Sequence, residues 1–574
     1  MSLFSRLLTA FWISMIAINA VANITEYHLD IDRQTVNITG KPLQRITVNG
    51  SIPGPVLEFT EGDTAVIHVT NKMKVPSSVH WHGLLLPPAM DGVPGFSGYP
   101  GIAPGETFTY RFELRQNGTY WYHAHSGTQE QDGHYGALIV HPENRSLIQA
   151  DRDYVVVLSD FSEEASSQIM ANLKKDPHYY NYSQRTLGDF LDDVRNRGLA
   201  EAWQWATEWG EMRMSPTDIA DVSGYTFLIN GRTPAQNWTG LFNPGETVRL
   251  RFINASAMSM YDVRIPGLTM DVVQADGQYV EPVTVDEFRF AVAETYDVLV
   301  RPTTDTAFTI AAEAIDRTGF AMGTLAPRSG MRGPEPESRS RALLTMGDMG
   351  MGHSEVQGAD VTGKTAMTGH AGHGMAQQDN TVSASSGWAD AGTPPGHKAL
   401  SYADLRSLRQ QTDTRPPERE IVVSLGGSMT RFIWTINGHK FGDEGFKPLQ
   451  LRYGERVKLR FENTSMMAHP MHLHGMFVQL DNGQPAERLP NKHTVNVPPG
   501  KSYSVLLTAD EPGEWAFHCH LLFHMAAGMM TKLVVAEYDV EVGEKATAIS
   551  DPGPGSPSSM DHEVQQRGGE HHGH

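Results

Sequence analysis

Gly454-Glu455-Arg456-Val457-Lys458-Leu459-Arg460-Phe461-Glu462-Asn463 opens on a turn signal and then alternates polar and apolar side chains up to an asparagine. Alternation with period two marks a strand that buries one face. The same pattern stands at Gly245-Glu246-Thr247-Val248-Arg249-Leu250-Arg251-Phe252-Ile253-Asn254. A third copy runs from Gly62-Asp63 through Val66-Ile67-His68-Val69-Thr70-Asn71. Each follows an Asn-Gly turn, at Asn49-Gly50, Asn230-Gly231 and Asn437-Gly438. Three related β-sandwiches are the simplest account.

The repeats divide the chain into domains at 23–145, 150–316 and 416–540. Within the second domain an insertion at about 160–222 has helical character near Leu191, Val194, Leu199, Trp203, Trp205 and Met212. Residues 317–415 are rich in Gly, Met, His, Ser and Pro, and predict a flexible connection with little strand. The tail, 541–574, has a disordered composition and contains histidine. At the start, Arg6, the apolar run Leu7–Ile18 and Ala20-Val21-Ala22 predict a signal peptide over 1–22, hence export.

A formal charge of −20 argues against nucleic-acid partners and favours cations near the surface. No later stretch is apolar enough to predict a membrane span. The chain has 26 methionines and 25 histidines but one cysteine, so an internal disulfide framework is excluded.

Four His-x-His pairs stand out: His80/His82, His123/His125, His472/His474 and His518/His520. On a strand, residues i and i+2 share a face, so each pair aims two imidazoles at one place. The first pair follows Asn71 at the same distance as the third follows Asn463, so domains one and three present equivalent pairs. Domain two has Val263 and Ile265 there, and its copy is blank. Eight imidazoles between domains one and three suit a cluster of three metals, with copper the favoured ion. Cys519 lies between His518 and His520 and must point away from that cluster. With His469, His524 and Met529 it makes the two-imidazole, thiolate and weak-thioether set of a blue-copper site. Zinc also suits His and Cys, but a structural zinc would not explain the adjoining eight histidines.

These segments resemble the copper motifs of the multicopper oxidases, in order and in spacing: His80-Trp81-His82-Gly83, Tyr122-His123-Ala124-His125, His469 to Gly475 and His518 to Met529. The resemblance covers nearly the whole mature chain. Trp209–Met214, Leu400–Leu405 and Met466–His469 resemble the periplasmic copper-resistance members. It implies three cupredoxin-like Greek-key sandwiches in an all-β fold. It also implies four coppers: one type 1, one type 2 and two type 3. By motif position the type 2 ligands are His80 and His472. His82, His123 and His520 hold one type 3 copper, and His125, His474 and His518 the other. His469, Cys519 and His524 hold the type 1 copper, with Met529 axial. Asp91 matches a proton-relay carboxylate, although an Asp before Gly also simply forms turns. Met525 stands where some relatives have a second carboxylate.

The implied reaction is oxidation of Cu(I) with reduction of O2 to water. Soft thioethers select Cu(I). Met322 and Met331 open the connection, and Met346, Met349, Met351, His353, Met367, His370, His373 and Met375 form its candidate Cu(I)-capture set. Competing readings are a laccase-like oxidase of phenolic donors and a copper-sequestering protein. Other periplasmic copper-resistance proteins are candidate partners. His28, His68, His134, His141, His178, His439 and His493 lack an i+2 partner and are read as bystanders.

Overall fold

A computed structural model describes residues 23–144, 146–211, 215–341, 343–345, 348 and 392–537. The signal-peptide region, the whole candidate capture set from Met346 to Met375, and the tail lie outside the described residues.

The chain folds as three cupredoxin-like sandwiches, each built of two sheets. In every one, a first strand pairs in parallel with the strand of the repeat. Ile24–Asn37 lies beside Thr64–Asn71, Arg152–Phe161 beside Val248–Asn254, and Arg419–Ser428 beside Arg456–Asn463. The shared asparagines explain why the repeats look alike. Asn49, Asn230 and Asn437 take φ near +50°, and each side chain accepts the backbone N–H of a neighbouring strand. Asparagine tolerates this left-handed conformation, and the Asn-Gly turn requires it. Asn71, Asn254 and Asn463 end the strands, and each Nδ2 donates to a carbonyl of the following loop (Val75, Ser259 and Met467) and to one from a segment further along the chain (Ile102, Phe290 and Val497). That loop leads to the His-x-His strand in domains one and three.

The insertion in domain two forms helices Ser166–Lys175, Leu187–Arg197 and Leu199–Glu211. Thr186 and Asp189 close a capping box on the second of these. No helix among the described residues is long and apolar enough to cross a membrane.

The start of the connection departs from expectation. Phe320–Ala326 is a strand of domain two, and Met322 pairs there with Ala311. Ala399–Leu400 pairs with Glu287–Phe290 in the same sheet. The small residues of Phe320-Ala321-Met322-Gly323-Thr324 blur the apolar alternation, and only pairing with Phe308–Ala314 makes them a strand. Met331 lies in the loop beyond, half-buried.

Candidate metal centre

His80–His82 is a short strand paired antiparallel to Gly118–His123, with His80 opposite His123. In domain three, His469–Leu473 pairs with Gly513–Cys519, with His472 opposite His518. The two strand pairs face one another. The His80 and His474 ring centroids are 3.8 Å apart, and those of His82 and His472 are 3.7 Å apart. All eight paired histidines are buried. The four His-x-His pairs of domains one and three therefore meet at one place.

Their nitrogens sort into inward and outward atoms. His125 Nε2 and His474 Nε2 lie 3.3 and 3.0 Å from His518 Nε2. His123 Nε2 and His520 Nε2 lie 3.3 Å apart. Several of the outward atoms have backbone partners, whereas His520 Nδ1 is buried without one. His80 Nδ1 donates to the Asp91 carbonyl, and His472 Nδ1 to the His493 carbonyl, both at 2.8 Å. His518 Nδ1 lies 3.0 Å from the Cys519 carbonyl. A ring that donates through one nitrogen presents a lone pair at the other. His80 Nε2, His472 Nε2 and His82 Nδ1 are buried with no hydrogen-bond partner. Burial, aided by neighbouring imidazoles, holds His82, His123, His125, His472, His474 and His520 well below the usual histidine range. Burial lowers His518 to about 4. Neutral imidazoles with free inward nitrogens are the form that binds a metal, so the residues present fit copper.

On the other side of Cys519 lies a second donor set. Cys519 Sγ is 3.5 Å from His469 Nδ1 and 3.8 Å from His524 Nδ1, and those two nitrogens are 3.2 Å apart. Burial pushes the thiol up, so it stays protonated until a metal displaces the proton. Met529 is fully buried, and its carbonyl accepts the Cys519 N–H at 3.1 Å. His469 Nε2 meets Ser465 Oγ at 2.6 Å, and Trp434 stacks on His524. Met525 is half-buried beside His524 and offers no carboxylate.

Asp91 is buried against the cluster. Its Oδ2 is 2.8 Å from His474 Nδ1, and Oδ1 is 3.3 Å from His80 Nδ1. Gly92 makes this approach possible: at φ +81° a Cβ there would lie 1.7 Å from the Val79 carbonyl oxygen. The Asp-Gly turn and the contact with the histidines are thus one feature.

Three residues escaped the sequence reading. Glu130 is buried with Oε2 2.7 Å from His123 Nδ1. Burial, with Asp160 nearby, pushes its carboxyl well above the usual range. Asp221 reaches from the domain-two insertion to His524 Nε2, at 2.5 Å. His493, read as a bystander, is buried in the cluster: its Nδ1 lies 3.2 Å from His82 Nε2. Its place follows from the pairing of Thr494–Val497 with His469–Leu473, which no His-x-His spacing reveals.

Burial lowers His134 to about 3 and His493 to about 4, as it does His518. In the unfolded chain these groups titrate near ~6.5, so below that pH the unfolded state binds more protons. Their contribution is complete above ~6.5 and is lost as pH falls toward the folded values. The copper-free protein should therefore melt at a clearly lower temperature near pH 5 than near ~7.5. Equal melting temperatures by calorimetry would remove this account of the burial.

Profiles described as multicopper oxidase match residues 30–145, 205–327 and 414–539. The chain belongs to the multicopper oxidase family, and is an enzyme of that class. It is similar to Copper resistance protein A of Escherichia coli, 46% identical over 89% of this chain and 93% of that one. The Copper resistance protein A homolog of Pseudomonas syringae pv. tomato is also 46% identical, over 89% and 92%. The crystal structure of Fet3p, a multicopper oxidase that functions in iron import, shares the fold, with TM-score 0.65 and 20% identity over 89% and 90% of the two chains.

Proposed function

We propose that this chain is an exported, periplasmic cuprous oxidase of copper resistance that oxidises Cu(I) and reduces O2 to water. His469, Cys519 and His524, with Met529, would hold a type 1 copper. His80 and His472 would hold type 2; His82, His123 and His520 one type 3 ion; His125, His474 and His518 the other. Bound copper supplies a one-electron acceptor at the first site and four-electron reduction of O2 at the second. Cys519 shares peptide bonds with His518 and His520, so one strand end joins the two donor sets. Asp91, in contact with His80 and His474, would pass protons to the cluster. The domains are taken as 23–145, 150–316 and 416–540, with Phe320–Ala326 and Ala399–Leu400 joining the second.

The observation that supports Cu(I) as donor is a depression beside His524. Its lining includes Met258, Met260, Met467, Asp221 and Asp316, among aliphatic side chains such as Ile219, Val222 and Ile315. The Phe523 N–H points at Met258 Sδ, 3.5 Å away, which ties this loop to the turn carrying His524. Thioethers beside a carboxylate suit a soft monovalent copper better than a phenol. The Leu344 N–H donates to the Pro216 carbonyl, which ties the chain just before the Met/His-rich stretch to the end of the domain-two insertion. The soft donors of that stretch support capture by Met346, Met349, Met351, His353, Met367, His370, His373 and Met375.

The test is O2 uptake with Cu(I) and with a phenol. Met258→Leu/Met467→Leu should slow Cu(I) oxidation about tenfold, about 1.4 kcal/mol in barrier, and leave phenol oxidation unchanged. Deleting 346–375 should raise the Cu(I) concentration needed for half-maximal rate. A wild-type protein that uses phenols far better than Cu(I) would make the laccase reading correct instead.

Glu130 bears on the type 3 pair. Its Oε2 lies nearer His123 Nδ1 than the Ala124 carbonyl does, at 2.7 against 3.1 Å. Glu130→Leu should weaken copper retention about 10–100-fold, the usual effect of removing a ligand's outer partner. Glu130→Gln keeps an acceptor and should lose less. Competition with a chelator measures both, and identical losses would show that the acceptor is not what matters.

A further inference from the structure

Outside the buried centre, the first sheet of domain one brings together two of the histidines read as bystanders. Parallel pairing of Ile24–Asn37 with Thr64–Asn71 sets His28 opposite His68. Antiparallel pairing of Thr64–Asn71 with Thr107–Glu113 sets His68 opposite Thr109. His28, His68 and Thr109 thus form one row across three strands, with Glu26 two residues before His28 on the same face. The face is open: side-chain exposure is 74% for His28, 52% for Glu26 and 27% for His68.

Glu26 Oε1 lies 3.0 Å from His68 Nε2 and 3.2 Å from His28 Nε2. The imidazoles stack, with centroids 4.7 Å apart and planes 16° from parallel. His68 Nδ1 is 2.8 Å from Thr109 Oγ1. When that nitrogen donates to the hydroxyl, Nε2 presents its lone pair toward Glu26 and His28.

We propose that Glu26, His28 and His68 form a surface Cu(II) site. Ligand atoms at ~2.0–2.2 Å from one ion stand about 2.9–3.4 Å apart, which is the spacing of both Glu26 contacts. Two imidazoles and a carboxylate, with water completing the shell, suit a borderline divalent ion. Among first-row divalent ions such donors bind copper most tightly. The choice of copper over zinc rests on the proposed oxidase reading, because Cu(II) is the product of that reaction. The donor set rests on strand register alone. The site would hold product copper outside the centre where it is made, and the chain's negative charge draws such cations to the surface.

The test uses the full, copper-loaded protein titrated with Cu(II) alone against a chromophoric chelator. His28→Gln/His68→Gln should bind one equivalent fewer than wild type, because histidines elsewhere cancel in the difference. Glu26→Gln should keep the equivalent at about tenfold lower affinity. Beyond the signals of the centre's own copper, paramagnetic resonance should show a further Cu(II) signal split by imidazole nitrogen in wild type that the double variant lacks, with phenol-driven O2 uptake unchanged in all three. Equal stoichiometry in wild type and the double variant, or the same signal in both, overturns the proposal. Because binding is read at equilibrium, a protein that fails to oxidise Cu(I) yet shows the one-equivalent difference sinks the oxidase reading and keeps this site.

Discussion

Cys519→Ser should abolish O2 uptake with every donor, by about 10³-fold or more, at least ~4 kcal/mol in barrier. Cys519 Sγ lies within 3.8 Å of both His469 and His524, and no second cysteine exists to replace it. A serine hydroxyl is a hard, weakly acidic donor where copper needs a soft thiolate. His518 and His520 would keep their backbone positions, so the cluster ligands survive the change. The variant should therefore lose about one copper of those bound, together with the intense visible absorption that a copper–thiolate bond gives. Metal analysis and an absorption spectrum check both. A variant that kept its colour or its full copper content would show that the thiol is no ligand.

Lys492→Met should be the most destabilising single change outside the ligands. Lys492 Nζ lies 3.1 Å from Asp276 and 3.0 Å from Glu294, and all three side chains are buried. Burial pushes the Asp276 carboxyl up, but His493, Lys492 and the N–H groups of Thr295 and Thr494 outweigh it and the net shift is downward. Burial likewise lowers Lys492, and the two carboxylates reverse that, so the ammonium keeps its charge. Removing the cation leaves buried carboxylate charge uncompensated, at a cost of about 3–5 kcal/mol. The damage should reach the cluster, because Asp276 Oδ2 also accepts the backbone N–H groups of His493 and Thr494 at 3.1 Å. His493 in turn touches His82 and holds His472 through its carbonyl. The copper-free variant should unfold at lower denaturant and retain copper poorly. Lys492→Met/Asp276→Asn/Glu294→Gln, which removes charge from all three, should recover most of the loss. A single variant as stable as wild type would mean that the triad holds nothing in place.

The two changes act on different kinds of information. Cys519 could be singled out in the sequence because it shares one strand end with His518 and His520. Lys492 could not, because Asp276 and Glu294 lie in another domain and no local period links them. The connection shows the same divide. Its composition was legible, yet Phe320–Ala326 became a strand only through pairing with Phe308–Ala314.

By itself the sequence determined the three sandwiches, the blank copy in domain two, the meeting of His80, His82, His123, His125, His472, His474, His518 and His520, and the nearness of Cys519 to His469 and His524. Strand alternation and repeat spacing are written within a few residues, so they survive reading in one dimension. Only the tertiary structure decided that Asp221 holds His524, that Glu130 holds His123, that His493 belongs beside His82, and that His28 lies against His68. Each is a meeting of separate strands or loops, set by sheet register and domain packing, and spacing along the chain carries no trace of it.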